Sequence, residues 1–77
     1  MTLRNLLLTL NHNKVIAVKL NNKLIETTSV HNLYFDLSGD HPTYFYLDNE
    51  VQNVFAKRYG EYFITTINLK NNSQYAK

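Results

Sequence analysis

The fold is decided by residues 14–30, which read KVIAVKLNNKLIETTSV. Two segments rich in β-branched side chains, Lys14 to Leu20 and Lys23 to Val30, flank Asn21-Asn22. Asparagine tolerates the positive φ angles that a type I′ turn requires, so the pattern predicts a β-hairpin with a two-residue loop. A loop of this length pairs Leu20 with Lys23, and the residue numbers of all strand partners then add up to the same value.

That register predicts two different faces, because side chains alternate along each strand. One face is apolar and consists of Ile16, Val18, Leu20 and Ile25. The other is more polar and consists of Val15, Ala17, Lys19, Leu24, Glu26 and Thr28. We expect the apolar face to be covered and the other face to be hydrated.

A helix that covers the apolar face of the sheet is predicted from the first ten residues. Leucines recur there with the period of an amphipathic helix, at Leu3, Leu6, Leu7 and Leu10. Thr2 suits the N-cap position. Because so short a helix is marginal alone in water, its leucine stripe must pack against the sheet.

The rest of the chain is less regular. Residues 31–42 fit a loop with one helical turn from Asn32 to Leu37, whereas Thr43 to Leu47 has the composition of a strand. The segment 49–59 fits either a helix or, as the resemblance described below favours, a strand from Val51 to Ala56. It leads into Glu61 to Leu69, whose core Tyr62-Phe63-Ile64-Thr65-Thr66-Ile67 is the strongest strand signal in the chain.

Composition excludes several classes of function. The chain has 77 residues, no cysteine and a net charge of +2, so it lacks disulfides, thiolate metal sites and the acidity of a DNA mimic. Its two glycines form no phosphate loop, and its serines form no catalytic triad pattern. Neither a membrane span nor a signal peptide is present in the pattern. We therefore expect a cytoplasmic protein that is not an enzyme.

The histidines form the one candidate metal site. In the predicted register His12 lies opposite His31, at a distance that lets two imidazoles share one ion. His41 and Asp36 lie in the irregular segment that follows, and three histidines with one aspartate complete a tetrahedral zinc shell. Zinc would then stabilise the small core as a cross-link, in the absence of disulfides. The alternative is that three histidines among 77 residues are ordinary and that two of them lie in polar loops.

Aromatic residues are the candidate binding residues. The chain has six tyrosines and four phenylalanines, more than a core of this size needs. Alternation predicts that Tyr44 and Tyr46 share one face, with Phe45 turned into the core. Exposed tyrosines suit protein interfaces, and beside basic side chains they also suit single-stranded nucleic acid. The predicted partner-binding residues are Tyr44, Tyr46, Lys57, Arg58, Tyr59 and Tyr62.

The order of motifs resembles a known class of proteins. The opening Thr2-Leu3-Arg4-Asn5-Leu6-Leu7, the hairpin, Leu47-Asp48-Asn49-Glu50-Val51 and the closing Phe63-Ile64-Thr65-Thr66-Ile67 resemble small orphan proteins of phages and mobile elements of low-GC Gram-positive bacteria. That resemblance implies a leading helix before two β-hairpins and a role in counter-defence, most concretely that of a type II anti-CRISPR protein. The segment from Leu37 to Pro42 departs from the pattern.

Taken together, the sequence predicts an α+β fold in which a short N-terminal helix packs on an antiparallel sheet of two hairpins. A single domain is expected over residues 1–70 and a flexible tail over residues 71–77. The predicted function is inhibition of a host protein, such as a type II CRISPR effector nuclease, by a monomer or small homo-oligomer without DNA mimicry. The alternative is a small regulator that binds nucleic acid through tyrosines and Lys57-Arg58 on a sheet face.

Overall fold

A computed structural model describes residues 1–36 and 39–70. These residues form two α-helices, a 3₁₀ helix and four β-strands. Their bounds are α1 (Leu3–Thr9), β1 (Val15–Leu20), β2 (Lys23–Ser29), α2 (Val30–Phe35), the 3₁₀ helix (Pro42–Tyr46), β3 (Val51–Tyr59) and β4 (Tyr62–Leu69). The predicted α+β class, the leading helix and the two hairpins are confirmed.

The four strands form one mixed sheet in the order β2-β1-β4-β3. Each hairpin is antiparallel, but the two hairpins join through β1 and β4, which run parallel with Val15 beside Ile64. The prediction of a purely antiparallel sheet is therefore wrong. The mixed arrangement places the two strands with the most buried residues at the centre, as is usual where parallel strands meet.

The first hairpin contains a β-bulge that changes which side chains share a face. Asn21 and Asn22 adopt the expected positive φ angles of 53° and 65°. Leu20 pairs with Lys23, but Val18 pairs with Glu26, so Ile25 is an extra residue. Because one extra residue shifts all later side chains to the other face, Glu26 lies on the helix side of the sheet and not on the hydrated side predicted for it.

Both helices pack on the same face of the sheet. Thr2 caps α1 as predicted, its Oγ1 accepting a hydrogen bond from the Asn5 N–H at 3.2 Å. The core consists of Leu3, Leu6, Leu7, Ile16, Val18, Val30, Leu33, Ile67 and Leu69. In the part of the chain that the structure describes, no helix is long and apolar enough to cross a bilayer.

The connection between the hairpins differs from its prediction. The helical turn begins at Val30 and not at Asn32, because the Ser29 Oγ caps it by accepting from the Asn32 N–H. The predicted end of that turn, Leu37, lies outside the described residues. The segment predicted as a strand from Thr43 to Leu47 begins instead as a 3₁₀ helix, since Pro42 fixes a helical φ at its first position.

Phe45, predicted in the core, is 87% exposed. Alternation along a strand does not apply within a 3₁₀ turn, where side chains three residues apart are aligned. Thr43 takes the buried position in this segment and is fully buried.

The ambiguous segment 49–59 contains the strand β3 from Val51 to Tyr59, so the helix alternative is wrong. β3 pairs with β4 from Val51 to Tyr59, with a second bulge at Gln52, and Gly60 turns the chain with a φ of 63°. The residues of β3 are exposed or half-buried throughout. The predicted flexible tail, residues 71–77, lies outside the described residues.

Candidate functional site

The sheet face opposite the two helices is the main candidate for a binding surface. Strand pairing aligns side chains across it, so that Ala17, Thr66 and Phe55 form one row and Val15, Ile64 and Lys57 form the next. Tyr59 and Tyr62 form the last row at the end of the β3–β4 hairpin. We call this surface the open face; it includes Val15, Ala17, Lys19, Phe55, Lys57, Tyr59, Tyr62, Ile64 and Thr66.

Large apolar side chains are exposed on the open face. Phe55 is 47% exposed, Tyr59 50% and Tyr62 76%. Scattered apolar residues are normal on protein surfaces, but neighbouring aromatic residues on one sheet face are typical of binding sites. The smaller Ala17 and Thr66, by contrast, are buried at the centre of the sheet.

The end of the second hairpin projects beyond the first. β1 pairs with β4 only from Ile64 onward, so residues 59–63 extend past the neighbouring strand. Two cations lie beside aromatic rings here: Lys57 Nζ is 5.5 Å from the centre of the Tyr59 ring, and Arg58 Cζ is 5.9 Å from that of Phe63. Alternation places the first pair on the open face and the second on the helix side.

Charge is unevenly distributed between the two sides of the sheet. The open face carries Lys19 and Lys57, and no carboxylate among the described strand residues lies on it. Glu26 lies on the helix side. Glu50, in the loop before β3, accepts a hydrogen bond from the N-terminal ammonium at 2.9 Å, which lowers the pKa of this carboxyl. The open face is therefore cationic as well as aromatic.

The predicted partner-binding residues separate into two groups. Lys57, Tyr59 and Tyr62 lie together on the open face, and Arg58 lies on the same hairpin. Tyr44 and Tyr46 belong to the 3₁₀ helix: Tyr44 donates a hydrogen bond to the Leu33 carbonyl at 2.6 Å, and Tyr46 packs half-buried against the core. Phe55 was not among the predicted residues, although its spacing of two from Lys57 places both side chains on the open face.

The four predicted zinc ligands are not brought together at one site: His41 and Asp36 lie close to each other, but His12 and His31 do not join them. The His31 N–H does donate to the His12 carbonyl at 3.0 Å, but the two side chains lie against aromatic rings. The His12 ring is 5.0 Å from Tyr34 and the His31 ring 4.7 Å from Phe35. Among residues 1–36 and 39–70, no group of three or more His, Cys, Asp or Glu side chains is arranged to hold a metal ion. The structure thus gives no evidence for the zinc site.

His41 instead joins a polar cluster on the helix side of the sheet. Its Nδ1 donates to Glu26 Oε2 at 2.5 Å, and its Nε2 lies 3.4 Å from Asp36 Oδ2. Thr43 donates to Glu26 Oε1 twice, through its hydroxyl at 2.7 Å and its backbone N–H at 3.3 Å. A Cβ on Gly39 would lie 2.6 Å from Asp36 Oδ2 and 2.8 Å from His41 Nε2, so a larger residue here would displace one of these side chains.

This Glu26–His41 cluster shifts two pKa values in opposite directions. The hydrogen bond to Glu26 raises the pKa of His41, with a smaller contribution from Asp36. Burial raises the pKa of Glu26, but the hydrogen bonds from His41 and Thr43 outweigh it and lower that pKa overall. Both shifts favour the charged forms of Glu26 and His41. The ion pair between them links β2 to the connection between the hairpins. We interpret the cluster as structural.

Comparison of the chain with known protein families, with curated proteins and with solved structures gives no match. The resemblance to small phage proteins therefore stays a hypothesis.

Proposed function

We propose that this protein is a non-enzymatic binding protein that attaches to a protein partner through the open face. The observation that carries the proposal is the set of exposed aromatic side chains, Phe55, Tyr59 and Tyr62, which flank Lys57 on a sheet face with no helix among the described residues. Tyrosine and phenylalanine bring a large contact area with few torsions to immobilise, which makes them effective interface residues.

The partner we propose is a bacterial defence protein in the cytoplasm of the host cell, most concretely a type II CRISPR effector nuclease. The sequence resemblance to phage-borne proteins supports this choice. The cations of the open face favour an acidic or mixed surface on the partner. A DNA mimic would carry the opposite charge, so the proposed inhibitor acts by contact with protein and not by imitation of DNA. No cofactor or catalytic residue is part of the proposal.

A paired-variant experiment tests the proposal. Tyr62→Ser and Phe45→Ser remove aromatic side chains of similar exposure, one on the open face and one in the 3₁₀ helix. Wild-type protein and Phe45→Ser should co-elute with the nuclease in gel filtration and protect DNA from cleavage. Tyr62→Ser should bind roughly tenfold more weakly or worse, as expected for an aromatic interface residue. If wild-type protein neither co-elutes nor protects DNA, the nuclease is not the partner.

The second candidate function is binding of single-stranded nucleic acid. It is favoured by the placement of Lys57 and Arg58 beside aromatic rings, since bases stack on such rings while cations contact phosphates. Affinity for a labelled oligonucleotide should then fall steeply as salt rises. The absence of any mobility shift at low salt would dismiss this candidate.

A further inference from the structure

The β3 strand forms one edge of the sheet, and the direction of its backbone groups can be assigned at both ends. The Glu50 carbonyl accepts from the Lys70 N–H at 2.8 Å and so points toward β4, whereas the Val51 N–H donates to the Met1 carbonyl at 2.8 Å and points away from it. At the other end, Tyr59 closes a two-residue loop and points its backbone groups toward β4.

Alternation between these ends identifies the outward groups. Along an antiparallel strand, successive residues point their N–H and C=O groups toward the neighbouring strand and away from it in turn. Counted back from Tyr59, the residues that point away from β4 are Val54, Ala56 and Arg58. Without the bulge, alternation would turn Val51 toward β4. Gln52 is an extra residue in the strand, so Val51 points away from β4, as its N–H does.

A short segment of the chain already pairs with this edge. Thr2 forms an antiparallel bridge with Glu50, held by the bond from Val51 and by a bond from the Leu3 N–H to the Asn49 carbonyl at 2.9 Å. The edge thus accepts an added strand in antiparallel orientation. Among the described residues this pairing stops at Val51, and the outward groups of Val54, Ala56 and Arg58 continue the same line.

The charge of β3 indicates what kind of strand fits beside it. Lys57 and Arg58 are its charged residues, and the strand contains no acid from Val51 to Tyr59. Neither cation forms an ion pair with a described residue. A second copy joined through the same edge would add two more cations, and lysine on an edge strand opposes such self-pairing. A segment with carboxylates has complementary charge.

We propose that the β3 edge binds an extended acidic segment of a protein partner as an added antiparallel strand. The segment bonds through its backbone to Val54, Ala56 and Arg58, and its alternate carboxylates face Lys57 on one side of the sheet or Arg58 on the other. This inference rests on the proposed function, because it states how a protein partner engages the hairpin that carries the open face.

The first test separates backbone pairing from side-chain contact. Proline is tolerated on an edge strand where its missing N–H would face solvent, so Ala56→Pro removes one outward donor and leaves the β3–β4 ladder intact. Ala56→Ser is the matched control, since it keeps the N–H. The probe is a capped nine-residue peptide of alternating valine and glutamate, titrated to about 2 mM into ¹⁵N-labelled protein. A second peptide has lysine in place of glutamate.

The glutamate peptide should shift the amide signals of Val54, Ala56 and Arg58 in wild-type protein and in Ala56→Ser. Ala56→Pro should bind it at least tenfold more weakly, and the lysine peptide should not bind. Unchanged signals at these three amides in wild-type protein, or equal binding by Ala56→Pro, would overturn the proposal. So would a wild-type dimer that Ala56→Pro dissociates, because the occupant would then be a second copy.

A charge-reversed variant keeps the proposal testable if Ala56→Pro does not fold. Lys57→Glu combined with Arg58→Glu leaves the backbone unchanged and should exchange the preference, binding the lysine peptide and not the glutamate peptide. An unaltered preference would contradict the charge assignment. The peptide results are independent of the nuclease. Loss of nuclease binding by Tyr62→Ser but not by Ala56→Pro would refute strand addition and leave the proposed function standing.

Discussion

Replacement of Thr43 by valine isolates the contribution of the hydroxyl in the Glu26–His41 cluster. The Thr43 side chain is fully buried, and its hydroxyl donates to a carboxylate oxygen of Glu26 at 2.7 Å. Valine keeps the branched shape but cannot donate. A hydrogen bond to a charged group contributes about 1.5–3 kcal/mol. Because Glu26 keeps its bonds from His41 and from the Thr43 backbone N–H, we expect a loss near 1.5–2 kcal/mol, the lower part of that range.

Thermal and urea unfolding followed by circular dichroism measure this loss. In a domain of this size 1 kcal/mol corresponds to roughly 4–8 °C, so Thr43→Val should melt about 6–16 °C below wild type near pH 6. Thr27→Val, at an exposed position on the same strand as Glu26, is the control and should stay within about 0.5 kcal/mol of wild type. A Thr43→Val midpoint indistinguishable from that of the control would refute the assigned role of the cluster.

Three further predictions concern stability. Ile67→Ala should cost about 2–5 kcal/mol in urea unfolding, because Ile67 is fully buried between Val18 and Val54; a cost comparable to that of an exposed site would contradict the core assignment. Gly60→Ala should cost about 1–2 kcal/mol from its φ of 63° alone, since its side chain would meet no atom within 4 Å; unchanged stability would argue against this turn. Wild-type stability should be highest between pH 4.5 and 6.5, the ordinary pKa values of Glu26 and His41. It should decline as pH falls through the lowered pKa of Glu26 or rises through the raised pKa of His41, and a urea midpoint that increases steadily from pH 5 to pH 8 would exclude this linkage.

The sequence predicted correctly those features that are set by a few residues adjacent in the chain. The Asn21-Asn22 turn and the Thr2 cap are set by backbone preferences at those positions, and both are confirmed. Pro42 was the local signal against a strand, but the aromatic composition of the following residues outweighed it in the prediction. Composition is a weak guide there, since a tyrosine or phenylalanine packs equally well from a turn.

Features that depend on distant contacts could not be predicted. The bulge at Ile25 turns Glu26 toward Thr43 and His41, which lie 17 and 15 residues further along the chain. The register without a bulge is equally compatible with the sequence, and it led to the zinc hypothesis by placing His12 opposite His31. The parallel pairing of β1 with β4 likewise depends on the whole sheet, because it places the two strands with the most buried residues at the centre. No local motif specifies it.

The candidate binding surface was predicted in part. Lys57, Tyr59 and Tyr62 were among the predicted binding residues, although the predicted strand ended at Ala56 and β3 continues to Tyr59. Tyr44 and Tyr46 were predicted to share one face of a strand, but they lie in a 3₁₀ helix, where Tyr44 donates to the Leu33 carbonyl and Tyr46 packs half-buried against the core. The absence of a described helix over the open face is a property of the whole topology, which no single segment specifies.

The central claim is that the open face binds a protein partner, and the affinity of the nuclease for three forms of this protein tests it most directly. Surface plasmon resonance with immobilised wild-type protein, Tyr62→Ser and Phe45→Ser compares aromatic side chains that are 76% and 87% exposed. We expect Phe45→Ser to bind like wild type and Tyr62→Ser to bind roughly tenfold more weakly or worse. Equal affinity of all three forms, or a loss confined to Phe45→Ser, would contradict this claim.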